Sequence, residues 1–308
     1  MSADVYLISG ATGKTGSYAV ELLRAQGASV RALVHTRDER SERLAELGAD
    51  VVQADLLDFG AVSSAMAGVT AAYFCYPIDP GGLLDATTIF AQAASEAGVR
   101  AVVNMSQISA RRDAKSHAAQ QHWLSERVWD RTAMITTHLR PTFFADWLIW
   151  QWSRRDDLAT LRLPFADGRH APITSSDQGR VIAAILTNPA PHDRQIYPLR
   201  GPVELNHDQI AERISKTLGI PVRYEPVDIA TFGRVLAVQG ATPFLIQHLS
   251  NVARDYRDGI FAGADNLVEV ITGHAAMTVE EFTDASRDAF ERPGQEASWE
   301  ELRSGAAH

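Results

Sequence analysis

Val5-Tyr6-Leu7-Ile8-Ser9-Gly10-Ala11-Thr12-Gly13-Lys14-Thr15-Gly16 opens the chain with an apolar run and three evenly spaced glycines, and a segment of helical periodicity follows. A strand, a glycine turn and a helix in that order gather backbone N–H groups and the positive end of a helix dipole at one point, which favours an anion. Glycine suits such a turn because side chains would hold a pyrophosphate away from the backbone. The spacing is GxxGxxG rather than GxGxxG. Lys14-Thr15 follow Gly13, but the longer gap of a GxxxxGK[ST] phosphate loop is missing. Gly10, Thr12, Gly13, Lys14, Thr15 and Gly16 are expected to cradle the phosphates of a dinucleotide; a glycine turn without a ligand is the alternative.

Outward from this motif the first half of the chain alternates. Val30–Val34, Val51-Val52, Ala71–Tyr76, Ala101–Met105 and Met134–Leu139 read as short buried strands. Between them, Lys14–Gln26, Glu39–Leu47, Phe59–Met66, Leu83–Ala97 and His117–Arg131 read as helices, the first two ended by Gly27 and Gly48. Apolar strands alternating with helices predict an α/β, Rossmann-type doubly wound parallel sheet, with its ligand site at the carboxyl ends of the strands. The second half is broken by prolines. Helices are expected over Ser176–Leu186, His207–Leu218, Pro243–Arg257 and Val279–Phe290, a strand over Val222–Val227, and a frayed end from about Pro293. This predicts a coenzyme-binding domain over 1–153, to which the chain returns over 172–200, and a smaller α/β substrate-side domain over 154–308.

The 308 residues carry a net charge of -9, a field that repels phosphate backbones and disfavours nucleic acid as a partner. The single cysteine, Cys75, allows no intrachain disulfide and no cysteine-rich metal site, and the histidines show no metal-binding spacing, so no metal is expected. The amino terminus lacks a basic region followed by a long apolar run, and no stretch is long enough for a membrane span. A soluble cytoplasmic protein is expected, with no membrane partner. Lys14, Lys115 and Lys216 are the only lysines available for chemistry.

The residue that reads the coenzyme ribose should stand ~20 residues beyond the glycine turn, at the tip of the second strand. That tip is Val34-His35-Thr36-Arg37, without a carboxylate. His35 and Arg37, with Arg31 nearby, offer positive charge for a 2′-phosphate, which favours NADP(H) over NAD(H), the other coenzyme considered. Asp38 and Glu39 read as the start of the next helix. Asp55-Leu56 end the third strand, where Asp55 is placed to meet an adenine amino group or to cap a helix.

Four segments in order, Gly10–Gly16, Val30–Val34, Gly48–Asp55 and Leu139–Phe144, resemble the NmrA-like family, a branch of the atypical short-chain dehydrogenases. The likeness spans residues 3 to about 230 well and the remainder loosely. It implies a Rossmann domain and a small α/β domain with a cleft between them. Members of the family include NAD(P)H-dependent quinone reductases, triphenylmethane-dye reductases and non-catalytic redox sensors that bind transcription factors. The Tyr-xxx-Lys pair of ordinary short-chain dehydrogenases is absent, since no tyrosine here has a lysine four residues on. Where family members often carry KxxxE, this chain reads His122-Trp-Leu-Ser-Glu126, so His122 stands in the lysine position.

Around the nicotinamide, the strand ends supply Tyr76-Pro77, Ser106-Gln107 and Pro141-Thr142-Phe143-Phe144. Ser106 is a candidate for hydrogen-bonding a carboxamide or a substrate oxygen. His117 and His122 are candidate proton donors that titrate in a useful range, and His122 is also a candidate coenzyme ligand. Gln107, Phe144 and Trp147, followed by Trp150 and Trp152, are candidates for an apolar substrate cleft, with helical core packing as the alternative for the tryptophans. Two functions follow: an NADPH-dependent reductase passing hydride to a small planar carbonyl, quinone or conjugated acceptor, or a dinucleotide-sensing regulator that binds a protein partner. A homo-oligomer is compatible with either.

Overall fold

The computed structural model describes residues 4–78 and 81–304. Met1–Ala3, part of the stretch read for a secretory signal, and 305–308, at the expected frayed end, lie outside the described residues. In chain order the first half comprises β1 (Val5–Ser9), α1 (Lys14–Ala25), β2 (Ser29–Val34), α2 (Glu39–Glu46), β3 (Asp50–Gln53), α3 (Phe59–Ala65), β4 (Ala71–Phe74), α4 (Leu83–Glu96), β5 (Ala101–Met105), α5 (His117–Trp129) and β6 (Ile135–Pro141). The second half comprises α6 (Asp146–Trp150), β7 (Trp152–Arg155), β8 (Leu158–Leu163), β9 (Arg169–His170), α7 (Ser175–Thr187), β10 (Ile196–Leu199), β11 (Leu205–Asn206), α8 (His207–Leu218), β12 (Val222–Pro226), α9 (Ile229–Val238), α10 (Pro243–Arg257), α11 (Leu267–Thr272), α12 (Val279–Ala285), α13 (Arg287–Phe290) and α14 (Glu296–Ser304).

Seven parallel strands form the main sheet in the order β10-β6-β5-β4-β1-β2-β3, so the winding reverses between β1 and β4. The central strands β4 and β5 are buried along their whole length, as strands of a doubly covered sheet should be, and the buried Asn104 amide of β5 lies 3.1 Å from His138 Nδ1. One face packs against α1, α2 and α7 through Val20, Leu23, Leu44, Val181 and Ile185. The other packs against α3, α4 and α5 through Val62, Phe90 and Trp129, with Phe74, Phe90 and Trp129 in mutual ring contact. This is the α/β doubly wound arrangement that the alternation predicts. β10, at the far edge, pairs with β6 from beyond α7.

A second, three-stranded sheet, β12-β8-β7, combines an antiparallel hairpin with a parallel partner. Its apolar face meets α8 and α12 around Trp152, Leu161, Ile210 and Phe282. The hairpin and α9 were not expected from the sequence. The helix expected over Val279–Phe290 is interrupted at Ser286. The frayed end expected from Pro293 is corrected as well: Pro293 and Gln295 hydrogen-bond to the β7 backbone, and α14 buries Trp299, whose ring lies 5.4 Å from the Arg162 guanidinium. One large aromatic ring outweighs the small polar composition around it.

The pairing of α1 with α7 fixes how the glycine turn is presented. Gly179 lets the two helices meet: a Cβ there would stand 2.6 Å from Tyr18 Cβ and 3.1 Å from the Ala19 backbone nitrogen. Neither atom is the free end of a flexible chain. Alanine would gain roughly 1 kcal/mol of helix propensity, but overpacking of this kind costs about 1–3 kcal/mol, so the clash prevails. Gly179→Ala is expected to lower the urea midpoint of unfolding; an unchanged or raised midpoint would show that α1 and α7 separate without cost.

Candidate active site

The winding reversal between β1 and β4 opens a crevice at their carboxyl ends. The glycine turn lies there because α1 starts almost on top of the strand before it. A Cβ on Gly16 would collide with the Gly10 carbonyl oxygen and stand 3.0 Å from Ala11 Cα. The Gly13 N–H closes the turn on the Gly10 carbonyl at 2.9 Å. No side chain caps α1 and no acidic residue occupies its first turn, so its amino end is left for an external anion. These residues fit the diphosphate of a dinucleotide.

Lys14 has a partner within the chain. Its ammonium lies 3.1 Å from Asp146, which also accepts from the Ser175 backbone N–H and hydroxyl at 3.1 and 2.8 Å. The pair ties the turn to the amino ends of α6 and α7. A groove of about 620 Å³ runs from Gly10, Gly13, Lys14, Thr15 and Gly16 past Cys75 to Met105, Phe144 and Trp147. Thr12 is half-buried within the same turn.

At the other end of the expected coenzyme, His35 and Arg37 are exposed at the tip of β2. The Arg37 guanidinium donates to the Val51 carbonyl at 2.6 Å, which ties it to the backbone of β3. Arg31 is differently engaged, with Asp50 and the Ala65 and Ala67 carbonyls, and so is removed from the set offered to a 2′-phosphate. Asp38 caps α2 and Asp58 caps α3. Asp55 is therefore not a helix cap; its Oδ1 accepts from the Leu57 N–H at 2.9 Å in an exposed turn. Leu56 is buried in the core on that side of the sheet.

The groove continues into an inner cavity of about 260 Å³, and Ile78, Met105, Phe144 and Trp147 line both. Tyr76 and Ile78 reach it from the end of β4, Ser106 and Gln107 from β5, and Pro141, Phe143 and Phe144 from β6. Pro77 is exposed and lines neither space. Trp147 and Trp150 make a T-shaped pair with centroids 4.4 Å apart, whereas Trp152 is core, packed edge-on against Phe290. The described lining of the inner cavity includes no carboxylate, ammonium or guanidinium.

His122 and Glu126, one helical turn apart, share the buried face of α5 with Ala118, Ala119, Ser125 and Trp129. Burial, with His248 adding to it, pushes the His122 imidazole down to about 3, and its Nδ1 is buried without a partner. This corrects the expectation of an imidazolium acid: at neutral pH His122 is uncharged. His117 is corrected by position. It is exposed, its ring beside Phe244, and it does not line the cavity. Ser106 donates its hydroxyl to Glu126 Oε1 at 2.6 Å. Glu126, fully buried, receives a bidentate clasp from Arg140 at 2.8 and 2.6 Å.

Sequence reasoning missed the far wall. His248, Leu249 and Val252 come from α10, and Phe261 follows it. Burial pushes His248 down to about 4, opposed by Asp255, and its Nδ1 lies 2.7 Å from Ser116 Oγ, the cap of α5. The helix was legible from periodicity, but nothing local marks which of its faces meets a site built more than a hundred residues earlier. Among the described residues, no group of three His, Cys, Asp or Glu is placed to hold a metal, and no helix is long and apolar enough to cross a membrane.

Behind Phe143 lie two more buried histidines, His170 and His207, both near the Tyr256 hydroxyl. Burial holds His207 at about 3 and His170 well below the ordinary histidine range. All four imidazoles are neutral when folded and take up protons near pH 6.5 when unfolded. The unfolded chain thus binds more protons as the pH falls, and each histidine withdraws about 1.4 kcal/mol of stability per pH unit below about 6.5 until its folded value is reached. Melting temperature is expected to fall steeply from pH 6.5 to 4.5, with a shallower slope in His207→Phe; equal slopes would show that His207 is not buried neutral.

The family model of the NmrA-like family matches residues 3–282. The chain is 27% identical over 286 residues to an NAD(P)H azoreductase of Xenophilus azovorans, covering 92% of this chain and 98% of that protein. Among solved structures, it superposes on an NADPH-dependent quinone oxidoreductase of Escherichia coli complexed with NADPH, with a TM-score of 0.78 and 22% identity over 91% of this chain and 99% of the other. A triphenylmethane reductase of Citrobacter sp. complexed with NADP(H) gives a TM-score of 0.75 and 19% identity over 92% and 99% of the two chains. With the family match running through nearly its whole length, the chain belongs to the NmrA-like family.

Proposed function

We propose that this protein is an NAD(P)H-dependent oxidoreductase, with NADPH preferred, that passes a hydride to a small planar carbonyl, quinone or conjugated acceptor. The observation that carries this reading is the continuity of the anion-ready glycine turn with an aromatic cavity free of formal charge, the two spaces sharing Ile78, Met105, Phe144 and Trp147. The reductases among the relatives point the same way. In this reading, 1–153 with 172–200 form the coenzyme side, and the rest of 154–308 forms the substrate side.

The glycine turn binds the diphosphate through backbone N–H groups, and Arg37, with His35 beside it, meets the 2′-phosphate. Asp55 and Leu56 border the adenine end, and Tyr76, Ser106, Pro141 and Phe143 border the nicotinamide. When bound, the coenzyme would supply a hydride, that is, one proton carrying both electrons of the reduction. Phe144, Trp147 and Gln107 hold a flat acceptor and exclude water from it. His122, being neutral, serves as a hydrogen-bonding group towards coenzyme or acceptor, and the proton that completes the reduction comes from water. A reduced quinone or conjugated oxyanion is stable enough to wait for that proton, which is why the missing Tyr-Lys pair is tolerable for these acceptors.

The missing pair also favours the second reading, a dinucleotide sensor that binds a protein partner. Following NADPH absorbance with a panel of small quinones and conjugated carbonyls separates the two. Turnover is expected, whereas coenzyme binding without turnover across the panel would select the sensor. Arg37→Ala is expected to weaken NADPH by about tenfold and NADH by less than about twofold; equal losses would reject the role given to Arg37.

A further inference from the structure

We infer that the buried Glu126–Arg140 pair fixes Ser106 as a hydrogen-bond acceptor towards the cavity, and that the ligand group it reads is the amide N–H of the nicotinamide carboxamide. The inference rests on the coenzyme reading above and deepens it. A serine hydroxyl carries one proton and two lone pairs. In this structure the proton points inward, to Glu126 Oε1 at 2.6 Å. Glu126 is fully buried, and as a carboxylate it has only acceptors to offer. Arg140 occupies both of its oxygens and Arg127 approaches Oε2 at 3.3 Å, so every neighbour of this carboxylate is a donor. The Glu126 carboxylate thus holds the Ser106 proton inward and leaves the lone pairs of Ser106 to the cavity that it lines.

A quinone or a conjugated carbonyl has no N–H or O–H before it is reduced, and gives such a lone pair nothing to accept. The carboxamide has two N–H bonds. Position is compatible with the chemistry: Ser106 lines the inner cavity, and Met105, the residue before it, lines both that cavity and the coenzyme groove. Glu126 and Arg140 are thus positioning residues that act through Ser106. Here the serine at the end of β5 holds the coenzyme ring rather than donating to a substrate carbonyl.

The test is binding, without turnover. NADP⁺ and its 3-acetylpyridine analogue, in which a methyl ketone replaces the carboxamide and removes both N–H donors, are titrated against the protein by calorimetry. The unaltered protein is expected to bind NADP⁺ about tenfold more tightly, since the analogue leaves a buried acceptor unpaired. Ser106→Ala is expected to bind the two equally. In Glu126→Gln the amide oxygen turns to Arg140 and the NH₂ to Ser106, so the serine proton swings into the cavity and the preference shrinks or reverses. Should that variant fail to fold, Ser106→Ala still decides. Equal binding of both compounds by the unaltered protein, or an undiminished preference in Ser106→Ala, overturns the inference while leaving the coenzyme site standing. Binding of neither compound by folded protein overturns the coenzyme reading and this inference together.

Discussion

The contact on which the rest depends is the seating of α1 against the carbonyl of Gly10, with no side chain between them. Only hydrogen at Gly16 permits it. The seating brings the helix's free N–H groups to the carboxyl end of β1, where the winding reversal has already opened a crevice. Gly179 repeats the device where α7 meets Tyr18 and Ala19 of α1, so α7 presses the same helix into place. The Lys14–Asp146 pair adds a link from the turn to α6, but an exposed ion pair contributes little by itself. Backbone geometry, rather than charge, makes this end of the groove.

The inner end is organised differently, around one carboxylate with no exposure to water. Glu126 on α5 gathers Ser106 from the end of β5 and Arg140 from the penultimate position of β6. Burying an ion costs several kcal/mol, which the bidentate guanidinium and the serine offset only because their geometry is close to ideal. Such an arrangement locks three elements to one another and leaves the cavity itself free of fixed charge. The histidines on its wall conform, being neutral where they stand.

The first half of the fold was legible because strands buried on both faces are largely apolar, and a run such as Ala101-Val102-Val103 announces itself even though Asn104 follows it, partnered by His138. The glycine turn was legible because its residues are consecutive. The β7–β8 hairpin was not, since Arg154, Arg155 and Arg162 disguise it; Arg162 is tolerated inside only because Glu225 and Glu296 receive it. The state of His122 was illegible for a related reason. Its position in the chain is visible in the sequence, but its charge is set by what packs over it, and part of that cover is His248, supplied by α10. Tertiary burial has no local signature.

Because α10 supplies one wall of the cavity while the sheet supplies the glycine groove, the two halves of the crevice are encoded by separate stretches of chain. Exchanges at Leu249 or Val252 can reshape the space offered to an incoming molecule without touching the strand tips that hold the nucleotide. Descendants of one scaffold can in this way diversify what they accept while inheriting, unaltered, the apparatus that feeds it.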